Sequence, residues 1–211
     1  MRKSIVITIL SGLIFLSACS DPAADKSRAV TGEATKTASP AAAAQGTRYL
    51  ITSQNSKIEF VGSKVTGNHN GSFQDFSGQI DYTGNVETSH VNITIKTDSL
   101  TTDTADLTKH LKTADFFDVA KYPEATFVST SIKAGGENGA SHTVTGNLTL
   151  HGATKSVSFP ATIAVTPDVA SVDANFSINR KDFGINYAGA ANNLIRDDVV
   201  LKLTIRANKA S

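Results

Sequence analysis

From Tyr49 onward apolar side chains recur at every second position, and this alternation limits the fold more than any other feature of the chain. A period of two belongs to a β-strand with one face turned to a core and the other to water. Ile58 and Phe60 flank Glu59; Phe76, Ile80 and Tyr82 share a parity with Gly78; Val91, Ile93 and Ile95 alternate with Asn92 and Thr94. The pattern returns in Val144, Leu148 and Leu150, in Val157 and Phe159, in Val172, Phe176 and Ile178, and in Val199, Leu201, Leu203 and Ile205. Turn-forming residues part the runs at Gly84-Asn85, 135–139, His151-Gly152 and Pro167-Asp168. The expectation is an all-β antiparallel meander of about eight strands, closed into a barrel because closure removes the sheet edges and joins the apolar faces. Thr, Ser, Asn, Lys and Glu fill the outward positions, which suits water and excludes a lipid-facing barrel.

The inward parity collects Phe60, Phe76, Ile80, Ile93, Ile95, Leu148, Leu150, Phe159, Phe176, Ile178, Leu201 and Leu203 as the candidate lining of the interior. A barrel of this size is either filled by its own side chains or holds one small guest, and the alternation alone leaves both open. One segment breaks the period. Asp103 to Asp118 offers Asp103 as a cap, with Leu107 and Leu111 four residues apart, and predicts a short helix over part of the barrel.

Composition excludes several functions. Twenty Lys and Arg against nineteen Asp and Glu give a formal charge of +1, which supplies no basic field for nucleic acid. His69, His90, His110, His142 and His151 show no i, i+4 pair and no short spacing to a carboxylate of a metal-binding kind, so no metal is expected. No Gly-x-Ser-x-Gly turn presents a nucleophile, and the chain is expected not to be an enzyme.

The N-terminus carries a targeting segment. Arg2 and Lys3 precede an apolar run from Ile5 to Leu16 that is too short to span a bilayer. The single cysteine stands in Leu16-Ser17-Ala18-Cys19, which resembles the lipobox of bacterial lipoproteins. The resemblance implies cleavage before Cys19, acyl chains on Cys19, and a membrane partner held through that anchor, each buried methylene adding about 0.8 kcal/mol. Ser20 then implies sorting to the outer membrane of a bacterial envelope, with the domain facing the periplasm. Beyond it, 21–46 holds Pro22, Pro40, Ala41 to Ala44 and a single large apolar residue, Val30, and is expected to be a flexible tether spanning roughly 25–30 Å. The organisation is thus a lipoprotein signal over 1–18, a lipidated cysteine and tether over 19–46, and a barrel domain over 47–211.

Several blocks in order, from Tyr49 to Ala207, resemble the YceI-like family of bacterial lipid-binding proteins. They are Ser56-Lys57-Ile58-Glu59-Phe60; His69 with Gly71-Ser72-Phe73; and Lys109-His110-Leu111-Lys112-Thr113-Ala114-Asp115-Phe116-Phe117-Asp118 leading to Tyr122-Pro123. Phe127 and Ser129, Gly146 to Gly152 with Thr154-Lys155, and Arg180-Lys181-Asp182-Phe183-Gly184-Ile185 complete them. The resemblance implies a lipocalin-like barrel that binds a polyisoprenoid or other long-chain amphiphile inside and uses no catalytic cofactor. It also implies a role as carrier or sequestering module. The alternative from another class is a filled barrel acting as an envelope scaffold or interaction lipoprotein. Two residues are candidates for a ligand's head group. Arg180 continues the inward parity of Phe176 and Ile178, and could meet a phosphate or carboxylate or else pair with Asp182, Asp115 or Asp118. His110, with Asp115 and Asp118, could form a polar rim or could cap and dock the helical insertion.

Overall fold

The computed structural model describes residues 21–35, 46–191 and 193–211; the signal segment and Cys19 lie outside the described residues. In chain order the strands are β1 (Ser27–Arg28), β2 (Val30–Glu33), β3 (Thr47–Thr52), β4 (Lys57–Lys64), β5 (Gly67–Phe73), β6 (Phe76–Tyr82), β7 (His90–Lys96) and β8 (Leu100–Thr102). A short helix, α1 (Ala105–Leu111), precedes β9 (Glu124–Ala134), β10 (His142–Leu150), β11 (Ala153–Val165) and β12 (Val169–Asn179). A two-stranded hairpin, β13 (Gly189–Ala190) with β14 (Asn193–Leu194), leads into β15 (Asp198–Lys209).

Three staves of the wall are bent strands in two pieces. β3 and β4 both run beside β15, β6 and β5 run beside β3 and β4, and β7 and β8 follow them in turn. Among the described residues the wall reads β3/β4, β5/β6, β7/β8, β9, β10, β11, β12, β15, and the β12–β15 ladder closes it, so the expected eight-stranded antiparallel barrel is the fold.

Local chemistry fixes the register. His151 at φ 50° and Gly152 at φ 77° form the two-residue turn between β10 and β11, a turn that needs positive φ at both places. His151 tolerates this geometry with its ring edge-on to Tyr122 and its Nδ1 3.2 Å from the carbonyl of Phe183. Inside, Gly71 lies opposite Phe60, where a Cβ would come 2.1 Å from the ring, so the phenyl group fits only against glycine.

The helical insertion caps the end of the barrel reached by the β4–β5 turn. Leu111 and Phe116 are buried, and Thr104 holds the N-cap position of α1 without a side-chain hydrogen bond to the helix. Asp103, the expected cap, turns back to β5 instead, 2.9 Å from Nδ1 of His69 and accepting from the backbone N–H of Asn70 at 3.0 Å. A carboxylate with two donors waiting on a strand has no need of the helix N-terminus.

Of the stretch expected to be a tether, 36–45 lie outside the described residues, but 27–33 are strands of the wall and not a flexible coil. β11 and β12 pair only through Thr162–Val165 and Ala170–Asp173, and toward the capped end they part at Pro160, which has no N–H to give to a ladder. Residues 27–33 fill the fork. β1 runs parallel to β12, with Ser27 beside Phe176, and β2 runs antiparallel to β11, from Val30 beside Ser158 to Glu33 beside Lys155. Ala29 donates to the carbonyl of Ser177 at 2.8 Å and is buried in the core cluster that contains Val157, Phe159 and Phe176. Ion pairs fasten the outside, Glu33 with Lys155 at 2.9 Å and Arg28 with Asp198 at 3.1 Å. Composition hid this arm because two open strand edges hold it by its backbone, and one small apolar side chain is all it places inside.

Replacing Ala29 by Asp sets a carboxylate in that cluster. The arm is expected to leave the fork, with a stability loss on the order of 1–3 kcal/mol. Hydrogen exchange should then show the amides of 27–33 unprotected while β12 and β15 stay protected; an arm still protected would contradict its place in the wall.

Candidate functional site: an apolar cavity with a polar end

A cavity of about 230 Å³ runs through the barrel, so the interior is not filled by its own side chains. Eleven of the twelve residues expected inside line it; Phe76 is buried in the core but does not reach the cavity. Across the fork beneath the arm, Phe159 and Phe176 lie face to face, with centroids 4.2 Å apart and planes within 6°. Their contact joins β11 to β12 where the backbone ladder between them is missing.

Alternation missed the part of the lining that comes from irregular segments. Leu107, Leu111, Phe116 and Phe117 of the insertion, and Ile185 and Ile195 of the loop before β15, close the capped end. The four-residue spacing of the leucines and the Phe116-Phe117 doublet were the available signals, since an apolar face on a short insertion must cover something.

The polar lining gathers at that same end: Ser63, Lys64, His69, Arg180 and Arg196. Arg180 is buried, yet its donors are committed. Nε donates to the carbonyl of Arg196 at 3.1 Å, Nη1 to that of Ile185 at 2.7 Å, and Nη2 lies 3.2 Å from Asp197 Oδ1. Burial pulls the guanidinium below its usual range, and Asp197 works in the opposite sense. The expectation of Arg180 facing a head group therefore gives way to a structural role, with Asp197 as partner in place of Asp182, Asp115 or Asp118. It pins the loop that carries Ile185 and Ile195 into the cavity.

His110 is likewise a docking residue. Its Nε2 lies 2.8 Å from Asp115 Oδ2, and its ring packs edge-on against Phe116 and Tyr187 at 5.0 and 5.1 Å. It does not line the cavity, and among the described residues no group of His, Cys, Asp and Glu is placed to hold a metal.

Because three carbonyls and a carboxylate depend on Arg180, Arg180→Met is expected to cost roughly 3 kcal/mol. A thermal melt should then fall by about 6–12 °C. An unchanged melting temperature would mean that the loop is held by something else.

A UPF0312 protein of Pseudomonas putida (strain W619) is 42% identical over 136 residues, 61% of this chain and 70% of that one. The crystal structure of Burkholderia cenocepacia BcnA superposes with a TM-score of 0.66 at 25% identity, covering 74% of this chain and 99% of that one. A polyisoprenoid binding domain from Saccharophagus degradans shares the fold, with a TM-score of 0.62 at 18% identity over 79% of this chain and the whole of that one. The YceI-like domain matches residues 49–207, leaving the arm of 27–33 outside the match. The chain belongs to the YceI-like family.

Proposed function

We propose that the protein is a lipid-anchored envelope protein that holds a long-chain amphiphile, an isoprenoid or a fatty chain, inside its barrel. The observation that carries this is the unfilled apolar cavity of about 230 Å³, larger than the cavity of about 150 Å³ that takes up benzene in an engineered core. At about 24 cal/mol per Å³, leaving such a space empty forfeits roughly 5.5 kcal/mol of packing, as much as the whole stability of many domains. A chain is the matching guest because the lining is aliphatic and aromatic along its length and polar only at one end. The polyisoprenoid binding domain of Saccharophagus degradans, which has the same fold, supports the same class of ligand. The action is non-covalent, and burial of apolar surface supplies the affinity.

Cys19 supplies the anchor in this proposal, and the outer membrane facing the periplasm is the proposed site. Asp21, two residues on, is paired with Arg196 at 3.1 Å, and Arg196 follows Ile195, which bridges to Lys64 at the capped end. Two extended residues reach at most about 7 Å. The acyl chains would therefore emerge beside the polar end of the cavity, and the barrel would sit against the membrane, not 25–30 Å above it.

Leu148→Trp fills space at the cavity wall. Displacement of the neutral dye N-phenyl-1-naphthylamine by hexadecanol should show at least a tenfold loss of affinity in this variant, with strand-type circular dichroism retained. Binding equal to the parent would overturn the cavity reading. Separately, Cys19→Ala should abolish incorporation of labelled palmitate and release the protein from membranes; undiminished labelling would remove the anchor.

A further inference from the structure

The polar end of the cavity contains one cation whose partner is missing from the described chain. On the β4–β5 hairpin, Phe60, Gly62 and Lys64 share the inward face with Phe73, Gly71, His69 and Gly67, as the contact of Gly71 with the Phe60 ring fixes. Lys64 stands opposite Gly67, and His69 opposite Gly62. At both glycines an added Cβ would meet nothing within 4 Å, and neither has the positive φ that would call for glycine on backbone grounds. No described side chain fills the position opposite either basic residue, and the two lie diagonally adjacent, at a spacing of about 7–8 Å between backbones.

The surrounding charges are already matched. Arg180 pairs with Asp197, Arg196 with Asp21, His110 with Asp115, and His69 through Nδ1 with Asp103. Asp103 also accepts from Asn70, so its oxygens are occupied and the imidazole is held with its other nitrogen directed away from it. Lys64 makes no ion pair among the described residues, although it is half-buried and borders an otherwise apolar space. A half-buried ammonium beside apolar surface favours an anion with oxygen acceptors, and His69, whose Nδ1 lies on Asp103, offers Nε2–H as a second donor in its imidazolium form, which fits a group with more than one such oxygen.

We infer that Lys64 and His69, with the space left by Gly62 and Gly67, form a head-group site for the anionic end of the bound chain, a carboxylate or a phosphate monoester. The inference rests on the lipid-binding proposal and adds polarity to it: the tail runs into the barrel past Phe60 and Phe73, and the acid stays at the β4–β5 turn. It also replaces Arg180 and His110, whose polar atoms are engaged elsewhere.

The test is displacement of N-phenyl-1-naphthylamine from the delipidated full chain by hexadecanoate, hexadecyl phosphate and hexadecanol, with inorganic phosphate as a fourth competitor. The parent should prefer both acids over the alcohol by at least tenfold, and inorganic phosphate should not displace the dye. Lys64→Gln should remove that preference, leave hexadecanol within twofold of the parent and leave the melting temperature unchanged, while Lys64→Arg should keep the preference. A preference for hexadecyl phosphate alone would identify the phosphate as the head, and for hexadecanoate alone the carboxylate. Equal affinities in the parent, or a preference that survives Lys64→Gln, would overturn the head-group site while leaving the cavity as a binding site. Failure of all three chains to displace the dye would overturn the lipid-binding proposal and this one with it.

Discussion

Everything in this molecule depends on closure of the sheet through the ladder between Val169–Asn179 and Asp198–Asn208. An open antiparallel sheet of this width would show two unpaired edges and one broad apolar face to water. Pairing the first wall position with the last through β15 removes both at once, and it turns a periodicity of two into an inside and an outside. Once the inside exists, its volume is set by which inward positions carry Phe, Ile and Leu and which carry Gly. Gly71 admits the Phe60 ring, whereas no atom of the described residues comes within 4 Å of a Cβ built on Gly62 or Gly67.

The same wall is incomplete where β11 and β12 separate, and the chain repairs it with residues 27–33. Two ladder edges at the fork would otherwise remain open, and the arm satisfies them with backbone groups, Ala29 inside and charged pairs outside. The arm precedes the region matched by the family, so its contribution belongs to this chain's own N-terminal segment. It also shortens the path between the barrel and the site proposed for acylation, which relates the geometry of the wall to placement at a membrane.

The sequence made the barrel legible because alternation survives in most of the long strands, although a register shift breaks it in β9 between Ser129 and Ile132, and each reversal is marked by Gly, Asn, Asp or Pro. Inward parity found the aliphatic and aromatic lining for the same reason, since a side chain on a strand has only two directions to take. Phe76 shows the limit: parity tells inside from outside but not which buried residue touches the cavity. The arm was invisible because its stability is backbone pairing on edges that exist only in the folded barrel. Arg180 was placed correctly on the inward face, yet its partner, Asp197, lies on a loop whose path no period describes. Lys64 and His69 were obscure for a related reason, because their significance lies in the glycines opposite them, and that requires the register of the hairpin.

The stability lost to an unfilled core explains why the cavity matters to the whole account. A space worth roughly 5.5 kcal/mol of packing is a heavy defect for a domain unless a guest occupies it. Native mass spectrometry of the protein purified from membranes, before and after solvent extraction, tests this most directly. A non-covalent long-chain amphiphile is expected to add to the mass of the folded protein and to disappear on extraction, while any acyl chains on Cys19 remain. A folded protein whose mass is the same before and after extraction would contradict it.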